Sequence, residues 1–216
     1  MEESKGLGEP LLLKDIAYDQ IKERILDERF VPGRFLSERE LIEILQMSKT
    51  PIKSALTRLE SEGFVTVSSK QGIIINDLAL NRIVDIYDLR TVLETFNIQA
   101  ILGRLNEEQS NLLLANLQES EEIVTRLDIK AFCKADHEFH LLLCRFAGNQ
   151  EIYRVLLNYQ DHLIRITLRH LRKDPHRMEG FWQDHVKIYE LLMQGKAESI
   201  ERMQDHLQRS KKKLFM

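Results

Sequence analysis

Four side chains in the second half of the sequence are of types that bind transition metals. Asp136 and His140 are four residues apart, so on a helix both project from one face, a turn apart. His185 and His206 lie in two later stretches of otherwise apolar, helical periodicity. One aspartate and three histidines brought together from three helices would form a divalent metal site. Taken singly, each histidine is more often an ordinary core or surface residue, and this alternative stays open.

A second group of side chains, near the N-terminus, could bind nucleic acid. Ammonium, guanidinium and hydroxyl groups are the donors that phosphates and guanine edges accept. The donors in question are Arg39, Ser48, Lys49, Thr50, Lys53 and Lys70. Residues 1–76 hold 11 Lys and Arg against 13 Asp and Glu, so DNA binding would depend on local charge and not on the total. Taken alone, Lys49 and Lys53 are more often an ordinary solvated helix face.

Helix-capping residues, and a change in the periodicity of the apolar residues from helical to strand-like, predict the elements that position these donors. A helix over 15–29 ends at a Val-Pro-Gly turn, and the pattern Ser37-x-x-Glu40 caps a second helix. Ser48 caps a third helix, which Gly63 stops. Two β-rich runs, 64–68 and 72–76, then surround the polar turn 69–71. Three short helices followed by a hairpin predict a winged helix-turn-helix, whose third helix would enter the DNA major groove.

Everything beyond about residue 79 has helical periodicity. Six segments are predicted, near 80–103, 107–126, 128–147, 149–172, 179–194 and 196–213. Asn106 with Gln109 predicts a cap for the second segment, and Gly195 a stop for the fifth. The predicted class is therefore mostly α. It comprises an N-terminal tail (1–14), the winged helix-turn-helix (15–78) and an all-α bundle (79–216).

Composition limits the class of protein. The chain has 216 residues, 43% of them hydrophobic and 30% charged, which suits two compact soluble domains. No run approaches the roughly 20 apolar residues of a membrane span, and the first ten residues lack the apolar core of a secretory signal. Cys133 and Cys144 have no Cys-x-x-Cys partner and are expected to be reduced core residues. These features predict a cytoplasmic protein with no membrane partner.

The first third of the chain resembles the DNA-binding domain of GntR-type regulators. The resemblance lies in PGRFLSERELIEILQMSKTPIKSALTRLESEGFVTVSSKQGIII, with a Pro-Gly turn, a Ser-Glu-Arg helix start, a recognition helix and a wing turn. It implies that Arg39, Lys49, Thr50 and Lys53 occupy DNA-contacting positions and that Gly72 is the wing-tip glycine. Lysine stands at 49 and 53, where the family usually has arginine. Lysine lacks arginine's planar bidentate contact to guanine, so the operator or the strength of binding is expected to differ.

Residues 80–213 resemble the all-helical (FCD-type) effector domain of the FadR-like branch of that family. The matching residues include Tyr87-Asp88-Leu89-Arg90 before Leu93-Glu94, Asp136-x-x-x-His140 before Gly148-Asn149, and finally His185 and His206. In metal-containing members, one aspartate and three histidines at these positions bind the ion. The resemblance therefore implies a site made of Asp136, His140, His185 and His206, for which zinc, nickel, manganese and iron are about equally suitable.

Several members of this branch sense small carboxylates that complete the coordination of the metal. Arg90 and Arg165 are the candidates to bind such an anion, although Arg90 could instead pair with Glu94, four residues on. The resemblance implies a homodimeric one-component repressor that binds double-stranded operator DNA and responds to the carboxylate. A regulator that responds to the metal alone is the alternative.

An enzyme is not expected. The run His137-Glu138-Phe139-His140 superficially resembles a zinc-protease helix, but that chemistry needs histidines four residues apart, and these are three apart. Four protein ligands would also leave less room than three for an activated water. A metal-dependent hydrolase is therefore the weaker alternative.

Overall fold

A computed structural model describes residues 12–68 and 72–212. The described chain divides into two compact units, with the boundary between Asp77 and Leu78. The elements of the first unit are α1 (Leu13–Leu26), β1 (Phe35–Leu36), α2 (Glu38–Leu45), α3 (Lys49–Glu62), β2 (Val65–Ser68) and β3 (Gly72–Ile75). This order of three helices and a wing is the predicted winged helix-turn-helix.

The helices of the first unit begin and end largely where their caps predicted. Ser37 and Glu40 form a capping box, with Ser37 N donating to Glu40 Oε2 (2.7 Å) and Glu40 N donating to Ser37 Oγ (3.1 Å). Gly63 ends α3 with a positive φ of 85°. Ser48 is the residue before α3, but its side chain makes no capping hydrogen bond, so that part of the prediction is wrong. Helix α1 ends at Leu26, not 29, because Phe30 N bonds back to Arg24 O and its ring is buried.

The wing is a three-stranded antiparallel sheet in the order β1-β3-β2, not an isolated hairpin. The sequence did not predict β1, since two residues are too few to show a period of two. Leu36 of β1 pairs with Ile73 of β3. At Gly72 the φ is +89°, and a Cβ would lie 2.8 Å from the carbonyl oxygen of Leu36. Glycine is therefore required where β3 begins.

The second unit is a bundle of helices whose bounds lie within two residues of those predicted. They are α4 (Leu80–Ile101), α5 (Glu107–Thr125), α6 (Ile129–Ala147), α7 (Gln150–Lys173), α8 (Arg177–Met193) and α9 (Glu198–Lys212). Asn106 and Gln109 form the predicted capping box at the start of α5. Helix α6 contacts α4, α5, α7 and α8, so its side chains occupy the centre of the bundle. Among them are both cysteines, which are buried and not joined in a disulfide.

Within the described residues, no helix is long and apolar enough to cross a membrane.

Candidate metal centre and DNA-contacting surface

Three of the four predicted metal ligands converge in the interior of the bundle. His140 comes from α6, His185 from α8 and His206 from α9. One potential ligand atom from each lies within 4.8 Å of the others, and all three side chains are buried. His185 Nε2 and His206 Nε2 are 3.2 Å apart. The periodic apolar stretches around these histidines predicted that they face inward, and the helix packing brings them together.

Asp136, the fourth predicted ligand, lies at the edge of this group. One turn before His140 on α6, its Oδ1 is 3.7 Å from His185 Nε2, and the side chain is partly buried. The geometry therefore brings three imidazoles from three helices together, with one carboxylate beside His185.

Two further carboxylates contact the Nδ1 atoms of two of the histidine rings. His140 Nδ1 forms a hydrogen bond with Glu94 Oε2 of α4, and His206 Nδ1 lies 3.2 Å from Asp184 Oδ2 of α8. An ionised carboxylate only accepts hydrogen bonds, so in both cases the ring Nδ1 carries the proton and donates it. When such a ring is neutral, its lone pair is on Nε2, which is the atom left to bind a metal.

The two carboxylates are themselves held by arginines. Glu94 Oε1 accepts a hydrogen bond from Arg90 Nε at 2.6 Å, and both side chains are buried. Asp184 accepts hydrogen bonds from Arg202 (2.6 Å) and Arg209 (2.8 Å), both of α9. The local pairing of Arg90 with Glu94, which the sequence left as an alternative to anion binding, is therefore present.

Burial and the surrounding charges favour neutral rings at His185 and His206 and an ionised carboxylate at Glu94. Burial lowers the pKa of His185 well below its ordinary value, and the charges of His206 and His140 lower it further. Burial also lowers the pKa of His206, although the hydrogen bond to Asp184 opposes this. Burial by itself would raise the pKa of Glu94, but the charges of Arg90 and His140 outweigh it, so this pKa is lowered. Metal binding requires these same protonation states.

The group fits a transition metal. His140 Nε2 is buried and has no hydrogen-bond partner among the described residues, which is costly for a polar atom that no ligand satisfies. Two nitrogens bound to one zinc ion at about 2.0–2.1 Å lie about 3.3 Å apart at a tetrahedral angle, close to the observed 3.2 Å between His185 and His206. Three imidazoles with a carboxylate suit zinc, nickel, manganese or iron.

A small cavity adjoins the histidines. Its lining comprises Tyr87, Arg90, Asp136, His140, Thr167, His170, Phe181, His206 and Ser210. Its volume of about 10 Å³ is close to the smallest space that holds one water molecule. Burial raises the pKa of Tyr87 to about 12, so its hydroxyl is a neutral donor there. Arg90, predicted to bind an effector, lines this cavity. Arg165, predicted with it, is buried on α7 and is not one of the described lining residues.

The run that superficially resembles a zinc-protease helix does not place a base at this centre. Glu138 is half-exposed and pairs with Arg145, also on α6. Burial, aided by the charges of Arg90 and His140, lowers the pKa of the neighbouring His137 to about 3. The position of Glu138 is therefore that of a surface ion pair and not that of a general base.

The predicted DNA-contacting residues surround an open cleft in the first unit. Lys49, Lys53 and Gly72 line it, together with residues of β2, and its volume is about 630 Å³. Ser48, Thr50 and Arg39 are exposed nearby in the same helix-turn-helix, and Arg39 Nε lies 2.9 Å from Glu43. Lys70 lies outside the described residues.

An acidic side chain, Glu38, reaches into this cleft. Its carboxylate lies 2.6 Å from Lys49 Nζ and 3.9 Å from Lys53 Nζ. The hydrogen bond from Lys49 lowers the pKa of Glu38, so it remains ionised. The first residue of α2 therefore partly neutralises both of these α3 lysines.

Sequence reasoning missed Glu38, Asp184 and the contact of Glu94 with His140. Each contact joins residues on different helices, which no short-range spacing reveals. Adjacency to a candidate ligand could have drawn attention to Asp184, since it directly precedes His185.

Comparisons with known proteins agree with this architecture. Residues 85–209 match the family model described as the FCD domain. Residues 13–75 match the model described as bacterial regulatory proteins, gntR family. Among relatives, the helix-turn-helix transcriptional regulator YdhC of Bacillus subtilis strain 168 is 25% identical over 183 residues, covering 84% of this chain and 81% of YdhC.

Two other known proteins extend the comparison. The gluconate operon transcriptional repressor of Bacillus licheniformis is 26% identical over 170 residues, covering 78% of this chain and 68% of the repressor. The solved structure of E. coli McbR/YncC matches with a TM-score of 0.76 at 18% identity, covering 95% of this chain and 98% of that one. The latter likeness concerns the fold.

Proposed function

Because the chain belongs to the GntR family of bacterial regulators and carries the family's FCD domain, we propose that it is a homodimeric repressor controlled by a metal-bound ligand. The observation that carries the proposal is the convergence of three buried histidines, with ligand atoms within 4.8 Å of one another, in the effector-binding unit. A one-component regulator needs two sites, one for DNA and one for the signal. In this proposal the first unit binds DNA and the second binds the signal.

The metal would be held by Asp136, His140, His185 and His206. When bound, the ion supplies a Lewis-acidic centre that can take an oxygen ligand from a small anion. The protein contributes three buried ring nitrogens and the Asp136 carboxylate.

The effector in this proposal is a small carboxylate that meets the metal and Arg90. Glu94 uses the Nε of Arg90, so the terminal guanidinium nitrogens are the donors available for an anion. Arg165 is a less direct candidate, because it does not line the cavity with the described residues. A carboxylate is larger than the cavity's volume of about 10 Å³, so binding must move the surrounding helices. Such movement is what a signal to the DNA-binding unit requires.

DNA binding is assigned to Arg39, Ser48, Lys49, Thr50, Lys53, Lys70 and Gly72. The described members that carry donors are exposed, and α3 presents its first turn beside the cleft of the wing. Helix N-terminal residues are those that contact bases in this fold. With lysines instead of arginines, much of the affinity would come from phosphate contacts.

A second copy of the chain is the proposed partner. Helix α4 exposes three large apolar side chains at helical spacing, Leu89, Val92 and Phe96, of which Val92 is 67% exposed. A contiguous stripe of exposed apolar side chains on a helix is typical of a protein–protein interface. A two-fold dimer would match the two half-sites of a pseudo-palindromic operator.

A regulator that responds to the metal alone is the second candidate. The observation that favours it is the cavity volume, which suits an ion or a water molecule and not an organic acid.

The test measures DNA binding and metal content together. Elemental analysis of the purified protein is expected to give about one metal equivalent per chain, which Asp136→Ala and His185→Ala lose. Fluorescence anisotropy with the gene's own upstream DNA is then run on metal-loaded and chelated protein, with and without a panel of small carboxylates. Release of DNA by a carboxylate only in the metal-loaded protein supports the proposal.

The other outcomes separate its parts. Loss of DNA binding on chelation, with no response to any carboxylate, selects the metal-responsive alternative. Specific DNA binding without metal content after reloading rejects the metal centre. Affinity for the upstream DNA no higher than for a random duplex rejects the operator assignment.

A further inference from the structure

His140 and His206 each have one ring nitrogen committed to a carboxylate from another helix. The partners, Glu94 of α4 and Asp184 of α8, lie outside the proposed set of metal ligands. We infer that Glu94 and Asp184 are positioning residues of the metal centre, each holding one histidine through Nδ1 so that its Nε2 faces the metal. The inference deepens the proposed function and rests on its metal site.

Glu94 holds the ring of His140 with one carboxylate oxygen and is itself held through the other. Oε2 of Glu94 accepts a hydrogen bond from Nδ1 of His140, and Oε1 accepts one from Nε of Arg90 at 2.6 Å. Both oxygens are therefore engaged, and the carboxylate cannot rotate without breaking one bond. The opposite ring atom, Nε2 of His140, is the buried nitrogen without a described partner. A metal ion bound to Nε2 would supply the partner that this atom lacks.

Asp184 holds the ring of His206 in the same way, but different arginines hold its carboxylate. Its Oδ2 lies 3.2 Å from His206 Nδ1, and Arg202 and Arg209 hold the carboxylate from α9. Nε2 of His206 then points at Nε2 of His185. Since Asp184 directly precedes the ligand His185, one short segment of α8 supplies a ligand and orients another.

These bonds would raise the metal affinity by two physical routes. A fixed Nδ1–H tautomer places the lone pair on Nε2 before the metal arrives, and the negative charge makes the ring a stronger donor. Removing such a partner typically lowers metal affinity by about 10–100-fold.

The alternative is that both carboxylates only stabilise the fold. Glu94 would then serve to neutralise the buried Arg90, and Asp184 would join α8 to α9. A purely structural role changes the stability of the metal-free protein but leaves the metal affinity as it is.

The experiment compares Glu94→Gln and Asp184→Asn with the parent in the full chain. Glu190→Gln is the matched control, because Glu190 is a carboxylate on α8 that pairs with Lys187 at the surface. Zinc affinity is measured by competition with a chromophoric chelator, and thermal unfolding is measured without metal and with saturating zinc. Glu94→Gln and Asp184→Asn are each expected to bind zinc about 10–100-fold more weakly, with the control within about twofold of the parent.

A second readout needs no variant. In zinc-loaded, ¹⁵N-histidine-labelled parent protein, long-range ¹H–¹⁵N spectra are expected to show His140 and His206 bound through Nε2 with a proton on Nδ1. Coordination through Nδ1 of either ring overturns the inference for its carboxylate.

The outcomes also separate this inference from the metal site itself. If the parent binds zinc and both variants bind it within twofold of the parent, the carboxylates are structural and the inference is wrong. Lower stability of a metal-free variant with an undiminished zinc-induced increase in Tm likewise makes the carboxylates structural. If the parent binds no zinc, the proposed metal centre fails, and this inference with it.

Discussion

At the scale of single residues, the proposed DNA-binding lysines already have an acidic partner. Lys49 and Lys53 lie against Glu38, so at the proposed surface a phosphate would have to displace a carboxylate. Surface pairs of this kind contribute little to folding, because water screens them. Their effect is expected on binding, where the same carboxylate repels the DNA backbone.

Glu38→Gln is therefore expected to strengthen binding to a random DNA duplex several-fold at low salt, because both lysines lose their acidic partner. The measurement is fluorescence anisotropy over a salt series, in which the gain should shrink as salt rises. Glu151→Gln, which removes an exposed carboxylate paired with Arg154 in the other unit, is the control. Equal affinities of parent and Glu38→Gln at every salt concentration would contradict this role.

The sequence identified the proposed metal ligands more readily than the residues that contact them. Asp136 and His140 are recognisable because a four-residue spacing is local. The contact of Glu94 with His140 joins positions 46 residues apart on two helices, and only the packing of α4 on α6 determines it. For Arg90 the sequence left two interpretations open, binding of an anion or pairing with Glu94. The structure contains the pair with Glu94.

At the scale of elements, local signals were sufficient for most boundaries. The capping boxes of α2 and α5 predicted both helix starts because their hydrogen bonds involve only four consecutive residues. Strand β1 was missed because its two residues become a strand only by pairing with β3. The close contact between these strands makes one glycine a sensitive position.

Gly72→Ala is expected to destabilise the winged unit by about 2–4 kcal/mol, combining backbone strain with a clash. The added Cβ would lie 2.8 Å from Leu36 O, at a backbone φ of +89°. The measurement is urea unfolding of the full chain.

Gly33→Ala is the matched control, because its φ is +78° but nothing lies within 4 Å of the added Cβ. It should lose only the strain component, about 1–2 kcal/mol. Equal losses in the two variants would show that the contact with β1 is unimportant.

At the scale of the whole molecule, the exposed stripe on α4 is expected to form the dimer contact. Val92→Asp with Phe96→Asp would place two charges in an apolar interface and should convert a dimer to a monomer. Sedimentation velocity measures the change, and far-UV circular dichroism checks that the helices are retained. Leu112→Asp, an exposed apolar residue of α5, is the control. Dissociation by the control alone would assign the interface to α5.

Metal binding is also expected to stabilise the helical unit as a whole. Zinc at about 100 times its Kd should add about 2.7 kcal/mol to the unfolding free energy, since the unfolded chain cannot assemble the site. Calorimetry of metal-loaded and chelated protein measures the shift. His185→Ala should melt at the same temperature with and without zinc, and a shift that persists in this variant would place the binding elsewhere.

The spread of the histidines along the chain has a consequence for biosynthesis. The proposed ligands run from Asp136 on α6 to His206 on α9, so no nascent chain can complete the site before the ribosome has made α9. The winged unit, by contrast, is finished once β3 has emerged. A chain truncated between these points would therefore contain the complete winged unit without the proposed metal centre.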